Sequence, residues 1–88
     1  MPTIEIYTTR NCSYCNAAKA LFKQKGLEYK EIPVDSSESN RAEMLKRKPE
    51  ARTLPQIFIN NISVGGYDDL KLLDKNDELD KILNAENS

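Results

Sequence analysis

Hydrophobic and polar positions alternate from the start of the chain. Ile4 and Ile6 flank Glu5 and lead into Tyr7-Thr8, so that residues 3–8 carry a period of two with many β-branched side chains. That pattern predicts a half-buried strand. The period then lengthens: Tyr14, Ala18, Leu21 and Phe22 recur at helical spacing, with a helical run over residues 16–25. Asn11 or Cys12 falls at its N-cap, and Gly26 supplies the stop. Residues 29–34 read as a second strand, which Pro33 assigns to a sheet edge. Ser36 or Ser37 caps a second helix, which runs through Ala42 and Leu45 until Pro49 ends it.

Two short apolar runs follow, residues 56–59 and 62–64, joined by Asn60-Asn61. Asparagine tolerates positive φ, so this junction predicts a hairpin. Gly65-Gly66 breaks the pattern, Tyr67 opens a third helix over residues 67–73, and a last helix covers residues 78–83 before a polar tail. A strand–helix–strand start implies parallel pairing across a crossover, and the hairpin adds antiparallel strands. The expected architecture is an α/β domain, with a mixed four-stranded sheet flanked by helices.

With 88 residues the chain makes one domain, placed at 1–84 with a frayed tail at 85–88. A hydrophobic fraction of 39% and a mean hydropathy of −0.66 describe a polar surface over a modest core. No apolar run approaches the roughly 20 residues needed to span a bilayer. The N-terminus lacks a basic-then-apolar leader, and two cysteines are too few for a disulfide-rich secreted scaffold. A cytoplasmic protein with no membrane partner is therefore expected. A net charge of −1 argues against nucleic acid as a partner. Within it the densest basic stretch, Lys46-Arg47-Lys48 with Arg52, reads as a solvated helix end favoured by the helix dipole.

Chemistry concentrates in Cys12-Ser13-Tyr14-Cys15, which holds the only two cysteines, at the junction of the first strand and first helix. Open α/β sheets place ligand sites at such carboxyl ends of strands. A thiol at a helix start meets unpaired N–H groups and the positive end of the dipole, which together favour its thiolate. Cys12 is thus the expected nucleophile. Cys15, inside the first turn, is the expected resolving thiol of a redox pair. The chain contains no histidine, which removes Cys–His hydrolases and the usual zinc enzymes. A structural zinc needs about four ligands and this motif offers two, so a redox pair is favoured over half a metal site shared between chains.

Two further segments have a plain and a functional reading. Pro55, after Thr53-Leu54, can simply start a strand, and a trans bond is the commoner state. Gly65-Gly66 followed by Tyr67-Asp68-Asp69 can be a turn with Asp68 as N-cap. The same elements also form an anion site at a helix start beside a carboxylate, a pattern that suits an α-amino acid head group.

Taken with Ile4-Glu5-Ile6-Tyr7-Thr8, Thr53-Leu54-Pro55-Gln56-Ile57-Phe58-Ile59 and Gly65-Gly66-Tyr67-Asp68-Asp69-Leu70, the chain resembles the dithiol glutaredoxins of the short bacterial type along essentially its whole length. The resemblance implies a thioredoxin-like fold, a cis Pro55 and glutathione as electron donor. It implies that Tyr14 and the Thr53-Leu54 backbone contact glutathione, and that Gly66, Tyr67 and Asp68 hold its γ-glutamyl head. Three positions depart from the family pattern: Ser13 replaces a proline, Thr9 a lysine, and Ala42 a glutamine on the second helix. The last two customarily meet the glycine carboxylate of glutathione. Arg52 is then the first candidate cation for it, and Arg10 the second.

The expected activity is glutathione-dependent reduction of protein–glutathione mixed disulfides and of protein disulfides, by a monomer. Glutathione reductase enters only indirectly, through glutathione. Two alternatives stand beside it: a redoxin served by thioredoxin reductase, and a glutathione-ligated [2Fe–2S] carrier or sensor dimer in which Cys12 is the metal ligand. Relatives lacking the proline at Ser13 supply the second.

Overall fold

The computed structural model describes residues 2–84; the expected frayed tail, 85–88, lies outside the described residues. Eight elements follow in chain order: β1 (Ile4–Thr8), α1 (Ser13–Gln24), β2 (Lys30–Pro33), α2 (Glu38–Arg47), β3 (Gln56–Ile59), β4 (Ile62–Gly65), α3 (Tyr67–Lys75) and α4 (Leu79–Leu83). The sheet runs β2-β1-β3-β4, with β1 parallel to β2 and antiparallel to β3. Pro33 therefore closes an edge strand, where its missing N–H costs no ladder bond. Asn60 and Asn61 both take positive φ in the β3–β4 turn, as a tight hairpin requires.

Local signals set the helix limits. Cys12 is the N-cap of α1, and Gly26 (φ +72°) ends it, with Gly26 N–H donating to Lys23 O and Leu27 N–H to Phe22 O. That paired return is the usual way a left-handed glycine satisfies the last carbonyls. Ser37, not Ser36, caps α2, its hydroxyl accepting from Asn40 N–H at 3.2 Å.

Alternation along the strands divides the core in two. Ile4, Ile6, Ile57 and Ile59 pack with Ala18, Phe22, Leu70, Leu79 and Leu83 on the face covered by α1, α3 and α4. Tyr7, Ile32, Val34 and Phe58 meet Met44 of α2 on the other. Three expectations change here. Tyr14 is 60% exposed, and Cys15 takes its place on the buried stripe with Ala18 and Phe22. On α2 the buried residue is Met44, whereas Ala42 and Leu45 are exposed.

The basic run is not a purely solvated helix end either. Arg47, one turn after Met44, points inward: its Nη1 donates to Tyr7 Oη (3.0 Å), its Nη2 to Glu5 Oε1 (3.0 Å) and Asn61 Oδ1 (3.3 Å), and its guanidinium lies 3.9 Å from the Phe58 ring centroid. Desolvation works against its charge, but the bonds to Glu5 and Tyr7 outweigh that and leave its pKa above the ordinary value. Burial pushes the Tyr7 hydroxyl up, against the opposing pull of Arg47.

This cluster fastens α2 to β1 and to the hairpin. Arg47→Ala should lower stability by about 1.5–3 kcal/mol, the range for hydrogen bonds to a charged group. Arg47→Lys, which keeps the charge and loses the planar fork, should recover less than half of that loss. Urea unfolding measures both; losses under about 0.5 kcal/mol, typical of a surface ion pair, would show that the cluster does not anchor α2.

Candidate functional site

β1 ends at Thr8, and four residues carry the chain from the sheet to the start of α1. Asn11 makes the turn with φ 58°, and Cys12 follows in extended conformation as the N-cap. Its Sγ accepts the Cys15 N–H at 3.1 Å, so a helix donor that would otherwise lack a partner points at sulfur. Such a bond favours the charged form of a thiol. Cys12 is half-buried at the surface, whereas Cys15 is 1% exposed, and the two are joined as a disulfide with Cα atoms 5.2 Å apart.

Arg10 does not take part. Its N–H and Nε hold Asp35 Oδ2 at 3.0 and 3.1 Å, and these bonds keep the Asp35 carboxyl below the usual carboxylate range. Arg10 therefore pins the β1–α1 loop to the turn after β2 and lines neither groove described below.

The segment before β3 faces Cys12. The Leu54–Pro55 bond is cis, and Leu54 O lies 3.8 Å from Cys12 Sγ. A groove of about 340 Å³ runs from Tyr14 past Thr53, Leu54 and Pro55 to Gly66, Tyr67, Asp68 and Asp69. The Tyr14 and Tyr67 rings stand 6.3 Å apart across its mouth, so the cysteine loop and α3 meet there through aromatic contact.

At the start of α3, Gly66 is the N-cap and Asp69 supplies the capping carboxylate, accepting the Gly66 N–H at 3.1 Å. Asp69 thus takes the role that the sequence suggested for Asp68. Asp68 is exposed on the groove and makes no hydrogen bond or ion pair among the described residues. The cap also explains Gly65, whose φ of +104° suits glycine and whose added Cβ would collide with the Asp69 carboxylate.

A second, wider groove of about 660 Å³ lies on the α2 side of Cys12, with Thr9, Asn11, Ser13, Leu45 and Ala51 along it. Thr53 and Leu54 line both grooves. Arg52 lines the wider groove, and Arg41 joins it from α2. Sequence reasoning missed Arg41, although its spacing of three residues from Met44 would have placed it on the same helix face. Among the described residues no three His, Cys, Asp or Glu side chains gather to hold a metal ion, and no helix is long and apolar enough to cross a membrane.

Comparison with known proteins follows the same outline. A sequence model of the glutaredoxin family matches residues 4–64. Glutaredoxin 3 of Escherichia coli strain K12 is 46% identical over 83 residues, covering 94% of this chain and 99% of the relative. The solution structure of glutaredoxin from Brucella melitensis superposes with a TM-score of 0.77 at 44% identity, over 92% of this chain and 87% of that one. The crystal structure of a buckwheat glutaredoxin–glutathione complex gives 0.82 at 26% identity, over 96% and 78%.

The difference in burial predicts a difference in reactivity. When the reduced protein is treated with iodoacetamide near neutral pH, Cys12 should be carboxamidomethylated at least about tenfold faster than Cys15. Peptide mass spectrometry reads the order directly, and earlier labelling of Cys15 would reverse the assignment of the exposed thiol.

Proposed function

The chain belongs to the glutaredoxin family, and from that premise we propose how its two grooves share the work on glutathione. It is a glutathione-dependent thiol–disulfide oxidoreductase. The observation that carries the residue roles is the Cys15 N–H directed at Cys12 Sγ, at the point where both grooves meet.

In the proposed reaction the Cys12 thiolate attacks the glutathione sulfur of a protein–glutathione mixed disulfide. The new bond joins Cys12 to glutathione, and the protein thiolate leaves and takes a proton. A second glutathione thiolate then attacks the bound glutathione sulfur, which releases glutathione disulfide and restores the Cys12 thiolate. With a protein disulfide, Cys12 first bonds to the substrate, and Cys15 displaces it by attacking the Cys12 sulfur. Two glutathiones then reduce the resulting Cys12–Cys15 bond. Glutathione reductase serves this cycle only by regenerating glutathione.

The smaller groove suits the γ-glutamyl end. Tyr67 and Asp68 backbone N–H groups at the start of α3 fit its carboxylate, and the Asp68 side chain fits its amine. Leu54 offers backbone to the cysteinyl unit beside Cys12, and Tyr14, Thr53, Pro55 and Gly66 complete the wall. The glycine carboxylate falls to Arg52, with Arg41 in place of the engaged Arg10. The protein acts as a cytoplasmic monomer in this reading.

Cys12→Ser should abolish reduction of a glutathione mixed disulfide, measured with NADPH and glutathione reductase, while Cys15→Ser should keep most of it and lose protein-disulfide reduction. Reversed phenotypes would exchange the two roles. Reduction by thioredoxin reductase with no response to glutathione would instead establish the rival electron source.

The two ends should also differ in strength. Asp68, Arg52 and Arg41 are all exposed in the free protein; the proposed difference arises because the γ-glutamyl head would cover the Asp68 contact in the smaller groove, while the glycine end would leave the arginines open to solvent. Asp68→Ala should raise the KM for glutathione about tenfold or more, and Arg52→Ala or Arg41→Ala less than about fivefold. Equal or inverted effects at one ionic strength would move the anchor to the glycine end.

A second reading rests on Ser13, which is exposed and, unlike proline, keeps its backbone N–H and a free φ. Cys12, half-buried at the meeting point of the two grooves, would be the chain's ligand to a [2Fe–2S] cluster, with the remaining ligands drawn from a second chain and glutathione in this reading. When bound, such a group would supply iron–sulfur delivery or sensing in place of thiol exchange. Anaerobic reconstitution with glutathione should then yield a coloured dimer on gel filtration; a colourless monomer counts against this reading.

A further inference from the structure

We propose that Gln56 is a positioning residue for the glutathione-pairing segment, acting through the Thr53 carbonyl without touching substrate. The proposal rests on the glutathione reading above. Thr53 and Leu54 line both grooves, and Leu54 O lies 3.8 Å from Cys12 Sγ. A small displacement of this segment would alter the pairing edge and its distance from the nucleophile together. Yet residues 52–55 belong to no helix or strand. Apart from the Cys12 contact, the one hydrogen bond that holds their backbone among the described residues is Gln56 Nε2–H to Thr53 O, at 2.8 Å.

Gln56 is a rigid point from which to hold a loop. It opens β3, pairs in register with Tyr7 of β1 and is 4% exposed. Its other amide atom tells what the side chain is for. Gln56 Oε1 is buried with no hydrogen-bond partner, the one such side-chain atom among the described residues. An orphaned buried acceptor is unfavourable, and an apolar side chain of similar size would avoid it. Packing alone therefore favours leucine or methionine at this position. The amide does one thing they cannot, which is to donate to Thr53 O. That bond ties the Thr53 carbonyl to the first residue of β3 and so fixes the plane of the Thr53–Leu54 peptide, in a segment that lines both grooves.

The test uses S-methylglutathione, which cannot exchange, and a Cys12→Ser parent, in which the nucleophilic thiol does not titrate. Adding Gln56→Leu should weaken binding about tenfold by calorimetry, while the urea midpoint stays level or rises because the orphaned acceptor is gone. A purely structural role predicts the opposite split, with lower stability and unchanged affinity. Adding Gln56→Glu supplies a pH readout. The protonated carboxyl can donate to Thr53 O and the carboxylate cannot, so affinity relative to the parent should fall as pH rises through the titration of Glu at position 56.

Binding by the leucine variant within about twofold of the parent overturns the proposal, as does a pH-independent ratio for the glutamate variant. If the leucine variant does not fold, the glutamate profile decides alone. If the parent itself fails to bind the probe, the glutathione reading fails. The brace is then judged from the Thr53 carbonyl ¹³C shift, which Gln56→Glu should move on deprotonation; an unmoved shift overturns it.

Discussion

The hydrogen bond from the Cys15 N–H to Cys12 Sγ ties the chemistry to the fold. It exists only because α1 begins at Ser13, leaving Cys12 extended and outside the helix but within reach of its first turn. The direction of α1 is set in turn by Ala18 and Phe22, which are buried against Ile4, Ile6 and Ile57 of the central strands. Cys15 lies on the same stripe, three residues before Ala18 and seven before Phe22, and is buried with them. The start and phase of α1 therefore leave Cys12 half-buried and bonded by a helix donor, and Cys15 buried. The different roles proposed for the two cysteines follow from that asymmetry.

The two faces of the sheet contribute differently to the site. The face under α1, α3 and α4 is apolar, and its close packing presents the start of α3 beside the cysteine loop. The α2 face mixes apolar with polar groups: the Tyr7 and Phe58 rings, which pack with Met44, flank the Arg47 guanidinium, and Gln56 begins the neighbouring strand. A charge there is tolerable because its donors find Glu5, Tyr7 and Asn61, and because its flat face lies on Phe58. The consequence for function is indirect. Anchoring α2 through Arg47 positions the helix that brings Arg41 to the wider groove.

Capping shapes the smaller groove in the same way. Asp69 satisfies the Gly66 N–H from within the helix, which leaves Asp68 facing the cavity. Gly65 is required beside it because a side chain there would displace the Asp69 carboxylate. Two adjacent aspartates thus serve separate purposes, one closing the helix end and the other available to a ligand.

The sequence by itself determined the features that depend on neighbours a few residues away. Alternation at Ile4 and Ile6, the left-handed stops at Gly26 and Asn60-Asn61, and the placing of Cys12 at a strand–helix junction were all legible, and they imply the element order and the redox pair. The family resemblance added the cis bond at Pro55, where local preference pointed to trans. Only the tertiary structure decided which polar side chains turn inward and what they meet. Arg47 finds Tyr7 and Glu5 about forty residues away, Arg10 is taken by Asp35 rather than by the groove, and Arg41 comes within reach of Arg52 only when α2 packs on the sheet. Hydrophobic periodicity cannot show these outcomes, because a charged residue on a buried stripe reads as solvent-facing until its partners arrive from distant strands.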